Sequence, residues 1–94
     1  MRLTPTEIEM IKKTFYEVFG DGKIYLFGSR VDDSLKGGDI DLFIDTITTN
    51  KLQKKIEFLS ALKQRIGDQK IDVVISKDYT RLIEREALAK GIEL

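Results

Sequence analysis

The sequence holds no cysteine, no histidine and no tryptophan, and its one proline stands at position 5. Without cysteine there is neither a disulfide nor a thiolate metal site, and nothing points to an oxidising compartment. Without histidine, imidazole ligands and imidazole bases are excluded, so any metal or proton chemistry falls to carboxylates. A charge imbalance is missing too: 16 basic residues face 16 acidic ones. No overall field draws the chain to nucleic acid or to an anionic membrane, and direct nucleic-acid binding is not expected. No apolar run reaches membrane-spanning length, and MRLTPTEIEM lacks the pattern of a signal peptide, so a cytoplasmic location is expected. The chain also lacks the G-x-x-x-x-G-K-[ST] and G-x-G-x-x-G patterns of phosphate and dinucleotide loops. A length of 94 residues predicts one domain over 1–94, whose modest core a further apolar interface would stabilise.

What is present reads as alternating helices and strands. Thr4-Pro5-Thr6-Glu7 is a helix start, with Thr4 as cap, Pro5 at the first helical position and Glu7 completing a capping box. Ile8, Ile11, Phe15, Val18 and Phe19 share one helical face, and Gly20 ends the run. Residues 23–28 alternate as a strand, 32–36 suit one helical turn, and a second strand runs over 39–45. Asn50 is the expected cap of a further helix whose stripe is Leu52, Ile56, Leu59, Leu62 and Ile66, closed by Gly67. Residues 71–76 form a third strand. A last helix begins near 77–79 and ends at Gly91, burying Leu82, Ile83, Ala87 and Leu88. This order predicts a two-layer α/β (α+β) domain, a small mixed sheet with helices packed on one face.

The chemistry is concentrated in residues 26–45, LFGSRVDDSLKGGDIDLFID. A strand sends alternate side chains to opposite faces. Asp39 and Asp41 therefore point one way, and Ile40, Leu42 and Ile44 the other. The same parity in Ile71-Asp72-Val73-Val74-Ile75 puts Asp72 on the face of the first two aspartates. Like charges so close disfavour ionisation unless a cation is present, and oxygen donors of this kind suit Mg²⁺. The ordinary reading, Asp39 as a strand cap and Asp41 as a surface residue, leaves Asp72 unexplained. Gly28 lets the backbone approach a phosphate, and Ser29 adds a hydroxyl and an N–H at a strand-to-helix turn. For Arg30, a phosphate contact and a structural ion pair are equal alternatives.

The ordered set of Gly28-Ser29, Asp39-Ile40-Asp41 and Asp72 on three strands resembles the signature of the DNA polymerase beta-type nucleotidyltransferase superfamily. More narrowly, it resembles the minimal nucleotidyltransferases (MNT proteins) encoded beside HEPN-domain partners, and the ending Ala87–Leu94 resembles theirs. The resemblance implies that Asp39 and Asp41 hold one Mg²⁺ on the triphosphate and share a second with Asp72 near the acceptor hydroxyl. It also implies that Gly28 and Ser29, with Arg30, bind the phosphates of ATP or another nucleoside triphosphate. The implied function is transfer of AMP to a tyrosine of a HEPN toxin, with this chain as antitoxin in a hetero-oligomer or as a homodimer. A binding-type antitoxin with a weak site and a small-molecule nucleotidyltransferase are the alternatives. Many minimal members carry a second arginine and a glycine where Val31, Asp32 and Asp33 follow Arg30, and a serine where Gly38 stands. Met10, Tyr16 and Phe58, which fall off the main helical stripes, and Tyr79 near the final helix are the expected partner contacts.

Overall fold

The computed structural model describes residues 3–31, 38–77 and 82–94, apart from the Ser29 side chain. The helical turn expected over 32–36, the start of the last helix and Tyr79 lie outside the described residues.

Helix α1 spans Pro5–Phe19 and begins as the sequence requires. The Thr4 hydroxyl accepts from the Glu7 N–H at 3.1 Å, and the Glu7 carboxylate accepts from the Thr4 N–H at 2.8 Å. This reciprocal pair satisfies two of the N–H groups that a helix start leaves unpaired. Strand β1 (Lys23–Phe27) leads into a 3₁₀ turn, Gly28–Val31. Strand β2 (Ile40–Asp45), helix α2 (Lys51–Ile66), strand β3 (Ile71–Ile75), helix α3 (Leu82–Lys90) and a two-residue strand β4 (Ile92–Glu93) follow.

The sheet order is β3-β2-β1-β4. β1 pairs antiparallel with β2 and β4, while β2 and β3 run parallel. The domain is thus a small α+β structure with a mixed sheet, as the element order predicts. The ladder between β2 and β3 is closed at its end by a buried side chain. Ser76 Oγ accepts from the Thr46 N–H and donates to the Thr46 carbonyl, both at 3.1 Å. β4 was not legible in the sequence, because two residues after Gly91 are too short to show alternation. Its pairing is extended by Leu94, whose N–H donates to the Ile24 carbonyl at 2.9 Å.

α1 and α2 pack side by side on one face of the sheet. Ile11, Phe15 and Phe19 of α1 and Phe58 and Leu62 of α2 meet Ile24, Leu26, Ile40, Leu42, Ile44, Ile71 and Val73. α2 keeps Leu59, Leu62 and Ile66 at the core as expected, but its first half departs from the expected stripe. Leu52 and Ile56 are exposed, whereas Phe58 is fully buried, its ring centroid 6.0 Å from that of Phe19. Phe58 is therefore a core residue and not a partner contact. The difference has a physical source: cations border this buried face. Lys54 Nζ donates to the Val18 carbonyl at 3.0 Å, and Arg65 to Thr14 Oγ1 and Glu17 at 2.8 Å. Long cationic stems cover apolar surface while their heads reach polar partners. Met10 is half-buried against the core, and Tyr16 is exposed.

α3 contacts β1 and is also turned from its expected orientation. Its buried residues are Glu84 and Ala87, while Leu82, Ile83 and Leu88 are exposed. Glu84 accepts from the Lys77 N–H at 2.9 Å just beyond β3, and this bond faces the polar side chain inward. On the second face of the sheet, Tyr25 and Phe43 are cross-strand neighbours, and Phe43 is fully buried.

Candidate active site

The site lies on that second face, at the end where β1 leaves the sheet. The β1–β2 register pairs Phe27 with Asp41, and the β2–β3 register pairs Asp41 with Asp72. Equal register in a parallel pair puts both side chains on one face of adjacent strands, so the two aspartates are cross-strand neighbours. Asp41 is half-buried and Asp72 exposed. The Asp41 carboxyl is pushed above its ordinary range, first by burial, then by the negative charges of Asp72 and Asp39, against the attraction of Lys70. The three aspartates expected to form the site therefore share one electrostatic neighbourhood.

Gly28 is built against the same carboxylate. Its φ is +76°, and a Cβ placed there would lie 2.3 Å from Asp41 Oδ2. The glycine foreseen as a phosphate approach is thus also what lets Asp41 sit under the turn. Position 28 opens the 3₁₀ turn that contains Ser29 and Arg30.

Asp39 precedes β2 and is turned toward Lys70, with Nζ and Oδ2 3.3 Å apart. Lys70 precedes β3 as Asp39 precedes β2, and the parallel register sets them side by side. The lysine was not singled out in the sequence, although extending the Ile40–Ile71 register by one residue pairs the two. Among the described residues, no three acidic side chains converge as a ready-made metal cage. Asp41 and Asp72 are brought together, and Asp39 stands beside them in an ion pair.

Arg30 is engaged structurally. Its Nε donates to the Gly38 carbonyl at 3.3 Å, joining the two ends of the β1–β2 connection, and a second nitrogen reaches Gln69 Oε1 at 3.5 Å. Gln69 in turn donates to Glu7 at 2.7 Å. The Glu7 carboxyl lies below its ordinary range: burial, the largest influence, raises it, but bonds from Thr4 and Gln69 and the charge of Arg30 outweigh that. This network ties the turn to the start of α1 and to the approach to β3.

A groove of about 590 Å³ opens beside the aspartates. Phe27, Asp41, Asp72 and Ile83 line it on the site face, and Lys55 and Leu59 of α2 line it on the helix face. It crosses the outer edge of β3.

These residues fit divalent metal and triphosphate. The donors are hard oxygens, two of them are neighbours on one open sheet face, and the strain on Asp41 is of the kind that a cation relieves. No helix of the described residues is long and apolar enough to cross a membrane. No curated protein matches the chain. The profile of the family described as "Polymerase beta, Nucleotidyltransferase" matches residues 9–94, nearly the whole chain. Signature and match agree: the chain belongs to the polymerase beta nucleotidyltransferase family, and its general activity is nucleotidyl transfer.

Proposed function

We propose that the protein transfers AMP from ATP to a hydroxyl, that of a tyrosine on a HEPN-domain toxin, and so serves as its antitoxin in the cytoplasm. The observation that carries this reading is the Asp41–Asp72 cross-strand pair under the Gly28 turn. Asp39, released from Lys70, and Asp41 would hold one Mg²⁺ on the triphosphate and share a second with Asp72; the bound ions would neutralise phosphate charge and polarise the reacting oxygens. Gly28 and Ser29 offer backbone N–H groups to the β- and γ-phosphates. The acceptor oxygen forms a bond to the α-phosphorus as the bond from that phosphorus to pyrophosphate breaks. Asp72, the more exposed carboxylate, takes the acceptor proton or orients the hydroxyl. Asp39→Ala/Asp41→Ala abolishes metal-dependent ATP binding in calorimetry. Asp72→Asn lowers transfer from radiolabelled ATP by orders of magnitude and changes ATP affinity little. Equal ATP affinity in wild type and double variant refutes the assignment.

The Asp39–Lys70 ion pair favours a second reading, an antitoxin that acts by contact and has a weak nucleotide site. Under it, neutralisation of the toxin survives Asp72→Asn. Under the first reading it does not.

A further inference from the structure

β3 is an outer strand of the sheet, with β2 on one side only. The Ile40 N–H donates to the Lys70 carbonyl, and the Ser76 N–H donates to the Ile44 carbonyl. Even-numbered residues of this stretch therefore turn their backbone toward β2, and Ile71 and Val73 turn theirs outward. Among the described residues, neither has a partner on that side. An outward row of N–H and C=O groups at strand spacing is complementary to an extended polypeptide.

Two grooves run end to end along this edge and share Lys55, Val73 and Val74. The first reaches from Lys51 to Lys77, and its charged residues are Lys51, Lys55 and Lys77. The second contains Asp41 and Asp72. The flank of the edge on the α2 side is thus cationic, and the flank on the site face is acidic, with Val74 and Ile83 beside it. A second copy paired antiparallel through β3 would bring both sets of lysines into one seam. Charge complementarity favours an acidic strand instead.

We propose that the edge of β3 docks an extended acidic segment of the acceptor protein, which adds to the sheet as a strand. Side chains of the added strand alternate between the flanks. A tyrosine on the site face stands beside Asp72, its two neighbours point to the flank of Lys55, and of the residues two away one stands beside Val74 and the other beside Lys70. The inference rests on the nucleotidyl-transfer reading only for the identity of the bound segment as acceptor.

The test uses fluorescein-labelled peptides of one composition and opposite parity, VEYEV and EVYVE, read by anisotropy on the full chain without nucleotide. VEYEV is expected to bind at least tenfold more tightly. Lys55→Glu, with its melting curve checked, is expected to lose that preference and to bind VKYKV instead. N-methylation of VEYEV on both Glu residues, or on Tyr alone, removes alternate N–H donors, so one version loses binding and the other keeps it. Equal binding of the two parities, indifference to Lys55→Glu, or a dimer in sedimentation that VEYEV dissolves overturns the proposal. Label transfer from α-³²P-ATP is scored separately. Parity-dependent binding without transfer supports the docking edge and counts against the transferase reading, whereas transfer without parity preference overturns the docking edge alone.

Discussion

Replacing Gly28 by alanine challenges the site at the point where backbone and carboxylate meet. The new Cβ would lie 2.3 Å from Asp41 Oδ2 and 3.1 Å from its Cγ, and φ of +76° is a conformation that L residues rarely adopt. The backbone strain alone costs about 1–2 kcal/mol. Relieving the contact requires the carboxylate to move by about 1 Å, and expelling it from its place adds a cost on the order of 1–2 kcal/mol. The expected total is about 2–4 kcal/mol of stability. A displacement of that size at a reacting group costs roughly 10²-fold in rate. Urea denaturation measures the first quantity and single-turnover transfer the second. The decisive comparison is Gly28→Ala in an Asp41→Ala background. Removing the carboxylate removes the clash, so only the backbone part, about 1–2 kcal/mol, remains. An equal cost in both backgrounds refutes the contact, and unchanged transfer in Gly28→Ala refutes the role of Asp41.

Asp41→Asn is expected to stabilise the free protein at neutral pH while abolishing transfer. Burial and the charges of Asp72 and Asp39 raise the folded carboxyl above its ordinary 3.8, so the folded state holds this proton more tightly than the unfolded one. Stability therefore falls as pH rises from 3.8 through the folded value, and the asparagine removes that loss. Because the group is only half-buried and solvent screens its neighbours' charges, the gain is at most about 1 kcal/mol, or roughly 4–8 °C in Tm, and melting curves across acid pH show it disappearing below 3.8. Phe58→Ala is expected to cost about 3–5 kcal/mol in urea denaturation through the cavity left against Phe19. A loss under 1 kcal/mol would return Phe58 to the surface. Thr4→Ala, which breaks the capping box, should cost about 1 kcal/mol in the same assay.

Much of the site could be read without coordinates, because strand parity is local. Asp41 and Asp72 each follow an apolar residue that must face the helices, so their common face is written in each strand separately. The capping box at Thr4 and the stops at Gly20 and Gly67 are local for the same reason: each satisfies backbone groups within a few residues. The family match spans residues 9–94, the stretch that holds that ordered set of residues.

What the sequence did not reveal depended on contacts between distant segments. The inward turn of Phe58 in α2 goes with its contact to Phe19 and with Lys54 and Arg65 finding partners on α1. The rotation of α3 follows from Glu84 binding the Lys77 N–H, seven residues away in the sequence. Periodicity places apolar residues on a helix, but which of two neighbouring stripes turns inward depends on the surface that receives it. Lys70 was silent because only the parallel register sets it beside Asp39, and β4 because its pairing with β1 exists only once the chain has returned. Sequence alone determined on which face of their strands Asp41 and Asp72 lie. Tertiary structure decided how closely Gly28 presses on Asp41, that Asp39 is held by a lysine, and that the outer edge of β3 opens beside the carboxylates, because distance between strands is a property of their packing.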